Sequence, residues 1–179
     1  ADKKVFRLTS AIKGRGNQLA AGAAAAGGDI LLMLHADTFL PSHAFRSILT
    51  AVSNGADWGA FRLGIKATSP PYRLIERFVD LRCKLFKLPY GDQAIFVSKA
   101  ALQDIGGIPA IPLMEDVALA CKLRQAGFSF TMLSERVRTS PRRWQKDGII
   151  RRTIHNWLLL LQYLCGADPR KLAGQYRKN

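Results

Sequence analysis

Blocks of apolar residues alternate along the chain with polar and glycine-rich breaks, and their spacing predicts strands and helices in turn. The alanine-rich run from Ala20 to Ala26 favours a helix starting near Gly16 and stopped by Gly27 and Gly28. Residues 29–34 are apolar apart from one charge at the start, which predicts a central buried strand. Pro41 and Ser42 open a second helix through Val52, and "DWGAFRLGIK" (57–66) reads as a strand. Pro70–Pro71 start a long amphipathic helix ending near Leu88, and "DQAIFVS" (92–98) is the next strand. A short helix closed by Gly106–Gly107 follows. A helix from Glu115 to Ala126 then sets Leu119 and Leu123 one turn apart. "FSFTML" (128–133) reads as a strand, and residues 149–165 as the last substantial helix. Strands alternating with helices predict an α/β protein with a largely parallel sheet.

Composition sharpens this picture. At 179 residues, 48% of them hydrophobic, the chain suits one domain with a sizeable core and excludes a disordered protein. The net charge of +14 is uneven: Arg136 to Asn179 holds 11 Lys or Arg against 2 Asp. A basic end implies an anionic partner such as phospholipid headgroups, nucleic acid or a phosphorylated substrate. Cys83, Cys121 and Cys165 are odd in number and fall in helical patterns, so three buried free thiols in a reducing, cytoplasmic compartment are expected. The N-terminus shows no apolar signal region, and the greasy stretch from Trp157 to Cys165 is far shorter than the ~20 residues of a spanning helix. In that last helix, Ile150, Ile154, Trp157, Leu158, Leu161, Leu164 and Cys165 share a face, with Leu159 and Leu160 off it. Arg151, Arg152, Arg170, Lys171, Arg177 and Lys178 flank it. Such a helix suits the surface of an anionic membrane; alternatively it packs on the domain and leaves its cations in water.

Four segments contain candidate chemistry. In "LLMLHADTFLP" (31–41) the apolar run ends at His35 and Asp37, beyond the carboxyl end of a strand, where open α/β sheets bind ligands. Asp37 there either caps the following helix or offers oxygen to a hard divalent cation, which takes one or two carboxylates plus substrate phosphates. "LMEDVAL" (113–119) puts Glu115 and Asp116 at a helix start, as the macrodipole favours, or as a general base requires. "AIKGRGNQ" (11–18) sets Lys13 and Arg15 among glycines at a helix N-terminus, an anion site or a solvated basic loop. It is not a Walker loop, whose spacing differs. "SPRRWQKDG" (140–148) offers arginine forks for phosphate and a flat tryptophan face, or else a solvated charge run.

Taken in order, "GRGNQLAAGAAAAGGDILLMLHADT", "GAFRL", "RLIERFVDLRCKLFKLPYGDQAIFV", "IGGIPAIPLMEDVAL" and "SPRRWQKDG" resemble the family-2 glycosyltransferases, in particular small bacterial members labelled radical-SAM/selenodomain-associated transferases. The likeness covers nearly the whole chain. It implies a Rossmann-like GT-A sheet flanked by helices over residues 1–140. Residues 141–179 would be a basic helical extension packed on it, with the amphipathic helix inside. It also implies metal-dependent, inverting transfer of a sugar from a nucleotide-sugar donor to the hydroxyl of a glycan, lipid or small-molecule acceptor. By the same resemblance, "HAD" stands for the family's Asp-x-Asp motif, so Asp37, with His35, would bind Mn²⁺ or Mg²⁺ on the donor diphosphate. Asp116 would be the base, supported by Glu115. Lys13, Arg15, Arg143 and Trp144 would serve the diphosphate, and Gly91, Asp92 and Gln93 the acceptor side.

This sequence departs from the family at His35, at Ser140 (usually Gln) and at Ala20 (often Asn). Members ordinarily begin with a strand–helix–strand unit bearing the base pocket, whereas this sequence opens at what resembles their third strand, "KVFRLT". The expectation is therefore a partial domain, inactive alone and prone to self-association through an exposed sheet edge. Two rivals remain: a non-catalytic remnant acting as a scaffold, and a nucleic-acid module. The module ranks last, because the aromatics lie in apolar, core-like runs rather than interleaved with Lys and Arg.

Overall fold

A computed structural model describes residues 12–178 of the chain, so "KVFRLT" lies outside the described residues. The elements are α1 (Arg15–Ala25), β1 (Ile30–Met33), β2 (Thr38–Phe39), α2 (Ala44–Ser53), β3 (Trp58–Arg62) and α3 (Pro70–Phe86). A 3₁₀ turn (Gly91–Gln93) leads into β4 (Ile95–Ser98), α4 (Lys99–Asp104), α5 (Glu115–Gln125), β5 (Phe130–Arg136) and β6 (Arg138–Thr139). Three helices close the chain: α6 (Arg142–Asp147), α7 (Ile149–Leu164) and α8 (Pro169–Lys178).

The chain is α/β, with a four-stranded sheet in the order β1-β4-β3-β5. Helices flank this sheet because each strand buries side chains on both faces. Leu31, Met33, Trp58, Ala60, Ile95 and Val97 point to a core shared with α1, α4 and α5. Phe61, Phe96 and Ala94 point to the opposite core, built with Ile48 and Ala51 of α2. That alternation is the two-residue period of a strand.

The sheet is mixed, not largely parallel. Among the described strands of this sheet only β3 and β5 run parallel, while β4 is antiparallel to both β1 and β3. The reason lies in α3. Instead of crossing the sheet face to return the chain, α3 stays beyond the end of β3, with Tyr72, Ile75 and Val79 packed on Leu63 and Ile65. The chain therefore re-enters the sheet from the same end it left. Nor is β1 central: among the described strands it pairs only with β4, and its residues alternate between half-buried and buried.

Two predicted elements are shorter than expected. Ala94, held left-handed at φ 49°, separates the Gly91–Gln93 turn from β4, so "DQAIFVS" is half turn and half strand. The α2 helix starts three residues after Pro41, whose carbonyl first accepts the Ala44 N–H at 3.1 Å in a turn. Of the thiols, only Cys83 is buried; Cys121 is half-buried and Cys165 exposed. The reason is that α7 ends before Cys165, on a face turned to solvent.

Residues 141–178 are helical and join the cores through Trp144 and Ile149 at one end and Leu160 and Tyr163 at the other. No helix among the described residues is long and apolar enough to cross a membrane.

Candidate active site

The site lies where β1 and β3 end and β4 begins. Met33 pairs with Ile95, so the residues beyond β1 meet the Gly91–Gln93 turn that precedes β4. This register sets the His35 ring against Gly91. A Cβ at Gly91 would lie 2.5 Å from His35 Nε2 and 3.4 Å from Arg15 Nη2, so only glycine fits without displacing one of them. A second, two-stranded sheet pairs Thr38 with Thr139 and Phe39 with Arg138. It ties the loop carrying Asp37 to the segment carrying Arg142 and Arg143.

At the heart of the site Arg15 holds two carboxylates. Its Nε donates to Glu115 Oε1 and its Nη2 to Asp116 Oδ2 at 3.0 Å. Asp116 Oδ2 also accepts the Gly91 N–H at 2.7 Å, and Oδ1 accepts the Val117 N–H at 2.8 Å. Both acids sit in the first turn of α5, where the helix dipole favours negative charge. Glu115 is 1% exposed, and desolvation, reinforced by Asp116, raises its carboxyl pKa. Burial works against the Arg15 charge, yet Asp116 and Glu115 outweigh it and raise the guanidinium above its usual value. Met114, just before the two acids, is held left-handed at φ 64°, a conformation that costs a non-glycine residue energy and is common where backbone strain serves a site.

Around this centre lies an open cleft of about 140 Å³, lined by Arg15, His35, Asp37, Gly91, Asp92 and Asp116 on one side. Arg143, Trp144, Arg152, Asn156 and Tyr176 line the other. This enclosed volume is below the roughly 300–1,000 Å³ of ordinary small-molecule pockets, and the cleft opens to solvent.

Asp92 is pushed up to about 6, first by desolvation and then by Asp116, with Arg82 and Arg15 opposing. Tyr90 is pushed up to about 12, mainly by burial, although the Arg82 guanidinium stacks 3.5 Å from its ring centre. Burial, then the Arg15 charge, lowers the His35 pKa, so the ring is neutral at pH 7.

Several expected site residues sit elsewhere or do other work. Lys13 is exposed and lines no part of the cleft; its carbonyl accepts from Asn17 Nδ2 at 3.2 Å. Gln93 is fully buried away from the cleft. Its Oε1 accepts from Arg82 Nη2 and from the Tyr90 N–H, both at 3.1 Å, and its Nε2 donates to the Phe61 carbonyl at 3.1 Å. It is a core clamp, because a buried amide must satisfy all its polar groups. Gly16, in the glycine-rich segment, lets α1 approach the loop at Pro109 and Ile111, where a Cβ would meet the Ile111 carbonyl at 2.3 Å. Arg15 faces the carboxylates, and Arg143 donates to the Tyr176 hydroxyl. Trp144 is half core: its ring meets Tyr72 edge-on at 6.3 Å while also lining the cleft.

The metal expectation divides. Asp37, 39% exposed at its side chain, opens on the cleft with Arg142 Nη2 at 3.8 Å. One carboxylate completed by phosphates and water suits Mg²⁺ or Mn²⁺. His35 also lines the cleft, but its Nε2 is buried against Gly91 beside the Arg15 cation, so that nitrogen does not face a ligand there. Among the described residues no cluster of three or more His, Cys, Asp or Glu could hold a metal unaided.

Sequence reasoning missed Tyr90, Arg152, Asn156 and Tyr176. Arg152, expected among the cations flanking the last helix at a membrane surface or in water, is buried, with Asp147 at 3.4 Å and the Tyr176 ring 4.5 Å away. No local signal marks it, because Arg152 lies opposite the apolar stripe of α7, the side that an amphipathic pattern assigns to water. The chain matches no protein-family model, and no curated protein matches it significantly.

Proposed function

We propose that this chain is a GT-A-like glycosyltransferase domain that moves a sugar from a nucleotide donor to an acceptor hydroxyl. One observation carries the reading: segments 13–17, 35–38, 90–93, 113–116 and 140–144, scattered along the sequence, all contribute side chains to a single cleft.

In this reading Asp116 is the base. A carboxylate offers about four lone-pair directions, and the Arg15, Gly91 and Val117 donors occupy three, which aims the fourth for an acceptor proton. As that proton passes to Asp116, the acceptor oxygen bonds to the anomeric carbon. In the same displacement the carbon–oxygen bond to the diphosphate breaks, and its electron pair leaves with the nucleoside diphosphate. Glu115 keeps Arg15 in place, and Arg15 holds Asp116. Asp37 would hold Mg²⁺ or Mn²⁺, which when bound neutralises charge on the leaving diphosphate. Arg143 and Trp144 line the same wall for the donor.

The test is nucleoside diphosphate release from a panel of nucleotide sugars by the complete gene product, with calorimetry of nucleoside diphosphate binding beside it. Asp116→Asn should lower turnover by about 10²–10⁴-fold while binding persists. Binding should need Mn²⁺ or Mg²⁺ and lose that dependence in Asp37→Ala. Undiminished turnover in Asp116→Asn removes the base, and equal binding in EDTA removes the metal. No binding of any nucleotide or nucleotide sugar leaves a non-catalytic remnant.

A further inference from the structure

The α3 helix is amphipathic in the reverse of the usual sense. Its inward face carries Glu76, Asp80 and Arg82, all buried, while Leu74, Phe78, Leu81 and Leu85 are exposed. Those four are spaced by four, three and four residues, so they form one stripe along the outward face. The inward charges are paired: Glu76 Oε1 accepts the Ile65 N–H at 2.7 Å, and Asp80 Oδ2 pairs with Arg62 and Arg136, while its Oδ1 has no partner in the protein. The reversal is therefore built into the packing.

The α7 helix repeats the pattern. Ile150, Ile154, Trp157, Leu158, Leu161 and Leu164 are all exposed, and the buried positions are Arg152, Leu159 and Leu160. The two helices are neighbours, since a common cavity is lined by Ile75, Val79 and Arg82 of α3 and by Thr153, Asn156 and Trp157 of α7. Helical periodicity puts both stripes on the outward side of that seam. The apolar band is thus two helices wide, more than the scattered apolar residues of an ordinary surface.

We infer that α3 and α7 together dock this protein on the surface of an anionic lipid bilayer. Charge selects this occupant. The exposed Arg77 and Lys84 border the α3 stripe on the side away from the seam. The exposed Arg151 borders the α7 stripe on its far side, where α8 packs through the stacked His155 and Tyr176 rings and adds exposed Arg170 and Lys171. Neither helix exposes an acid: Glu76 and Asp80 are buried, and α7 has none. An apolar band with cations along both edges and an interfacial tryptophan suits the boundary between headgroups and acyl chains. A second copy of the chain is disfavoured, because any two-fold arrangement would set one cationic edge against another. The inference does not depend on the sugar-transfer reading.

Co-sedimentation with phosphatidylglycerol/phosphatidylcholine vesicles tests it. Binding is expected at low salt, weakened at high salt and absent from pure phosphatidylcholine. Arg77→Gln with Lys84→Gln should reduce it by about 30-fold, at about fivefold per cation. Leu81→Gln with Leu158→Gln, both at exposed positions, should also release the protein. On the unaltered chain, vesicles should blue-shift tryptophan emission, and Trp157→Phe should remove the shift. Failure to bind anionic vesicles at low salt overturns the proposal, as does binding indifferent to Leu81 and Leu158. A lipid-free dimer abolished by those same substitutions would assign the face to a second copy instead.

Discussion

Asp92 shows how one residue's surroundings reset its chemistry. Desolvation holds its carboxyl at about 6 against an ordinary 3.8, so the folded protein keeps a proton that the unfolded chain has already lost. Between those values the native state binds more protons, and stability must fall as pH rises. Its contribution is therefore fully present below about pH 4 and gone above about pH 6. Asp92→Asn should remove this slope: the stability of the variant relative to the unaltered protein should grow from pH 4 to 6 and then level off. Urea denaturation across that range measures it, and carbon NMR of the Asp92 carboxyl should show a midpoint near 6; a midpoint near 4 refutes it. Below that midpoint Asp92 can donate a hydrogen bond into the cleft, and above it Asp92 can only accept.

At the scale of the element, α3 and α7 show that an amphipathic pattern does not say which face is inside. Burial of apolar stripes is the usual outcome, yet both helices turn their stripes outward and use charged or flanking positions for packing. The sharpest contrast is between two adjacent leucines. Leu158 belongs to the continuous stripe but is 49% exposed, whereas Leu159, off the stripe, is 1% exposed and lines the cleft. Leu159→Ala should cost about 2–5 kcal/mol, as deletion of buried leucine atoms does, and Leu158→Ala should stay within about 0.5 kcal/mol. Chemical denaturation of the pair checks the assignment, and the opposite order would place the stripe against the core. The β4 strand teaches the same lesson in the sheet, since its direction was set by where α3 sits and not by its own residues.

Across the whole molecule, Arg15 joins the start of the described chain to residues 100 and 101 positions later. Removing it would leave Glu115 buried without its cation and Asp116 with fewer donors. Breaking a fully enclosed pair costs about 3–5 kcal/mol. Arg15 is 37% exposed at its side chain, so water recovers part of that, and Arg15→Ala should cost on the order of 2–3 kcal/mol. Glu115→Gln should restore part of the loss in the Arg15→Ala background, because the uncompensated charge is then gone. A double-mutant cycle in urea measures this coupling; strict additivity would mean that the three side chains do not act as a unit.

The sequence by itself determined the elements, because hydrophobic period and glycine or proline stops are local: α1, α3, α5, α7 and the cores of four strands lie within a few residues of where the pattern puts them. It also pointed to His35, Asp37, Glu115 and Asp116, since charged residues at strand ends and helix starts stand out against apolar runs, whereas Asp92 came only from the family resemblance. Only the tertiary structure decided what each does. Gln93 became a core clamp and His35 a buried neighbour of Gly91, and Arg15 met two carboxylates. Arg152 turned inward while Leu158 turned outward. These outcomes depend on contacts between residues tens to a hundred positions apart, and on which side of a helix another element covers. Neither is encoded in a local period.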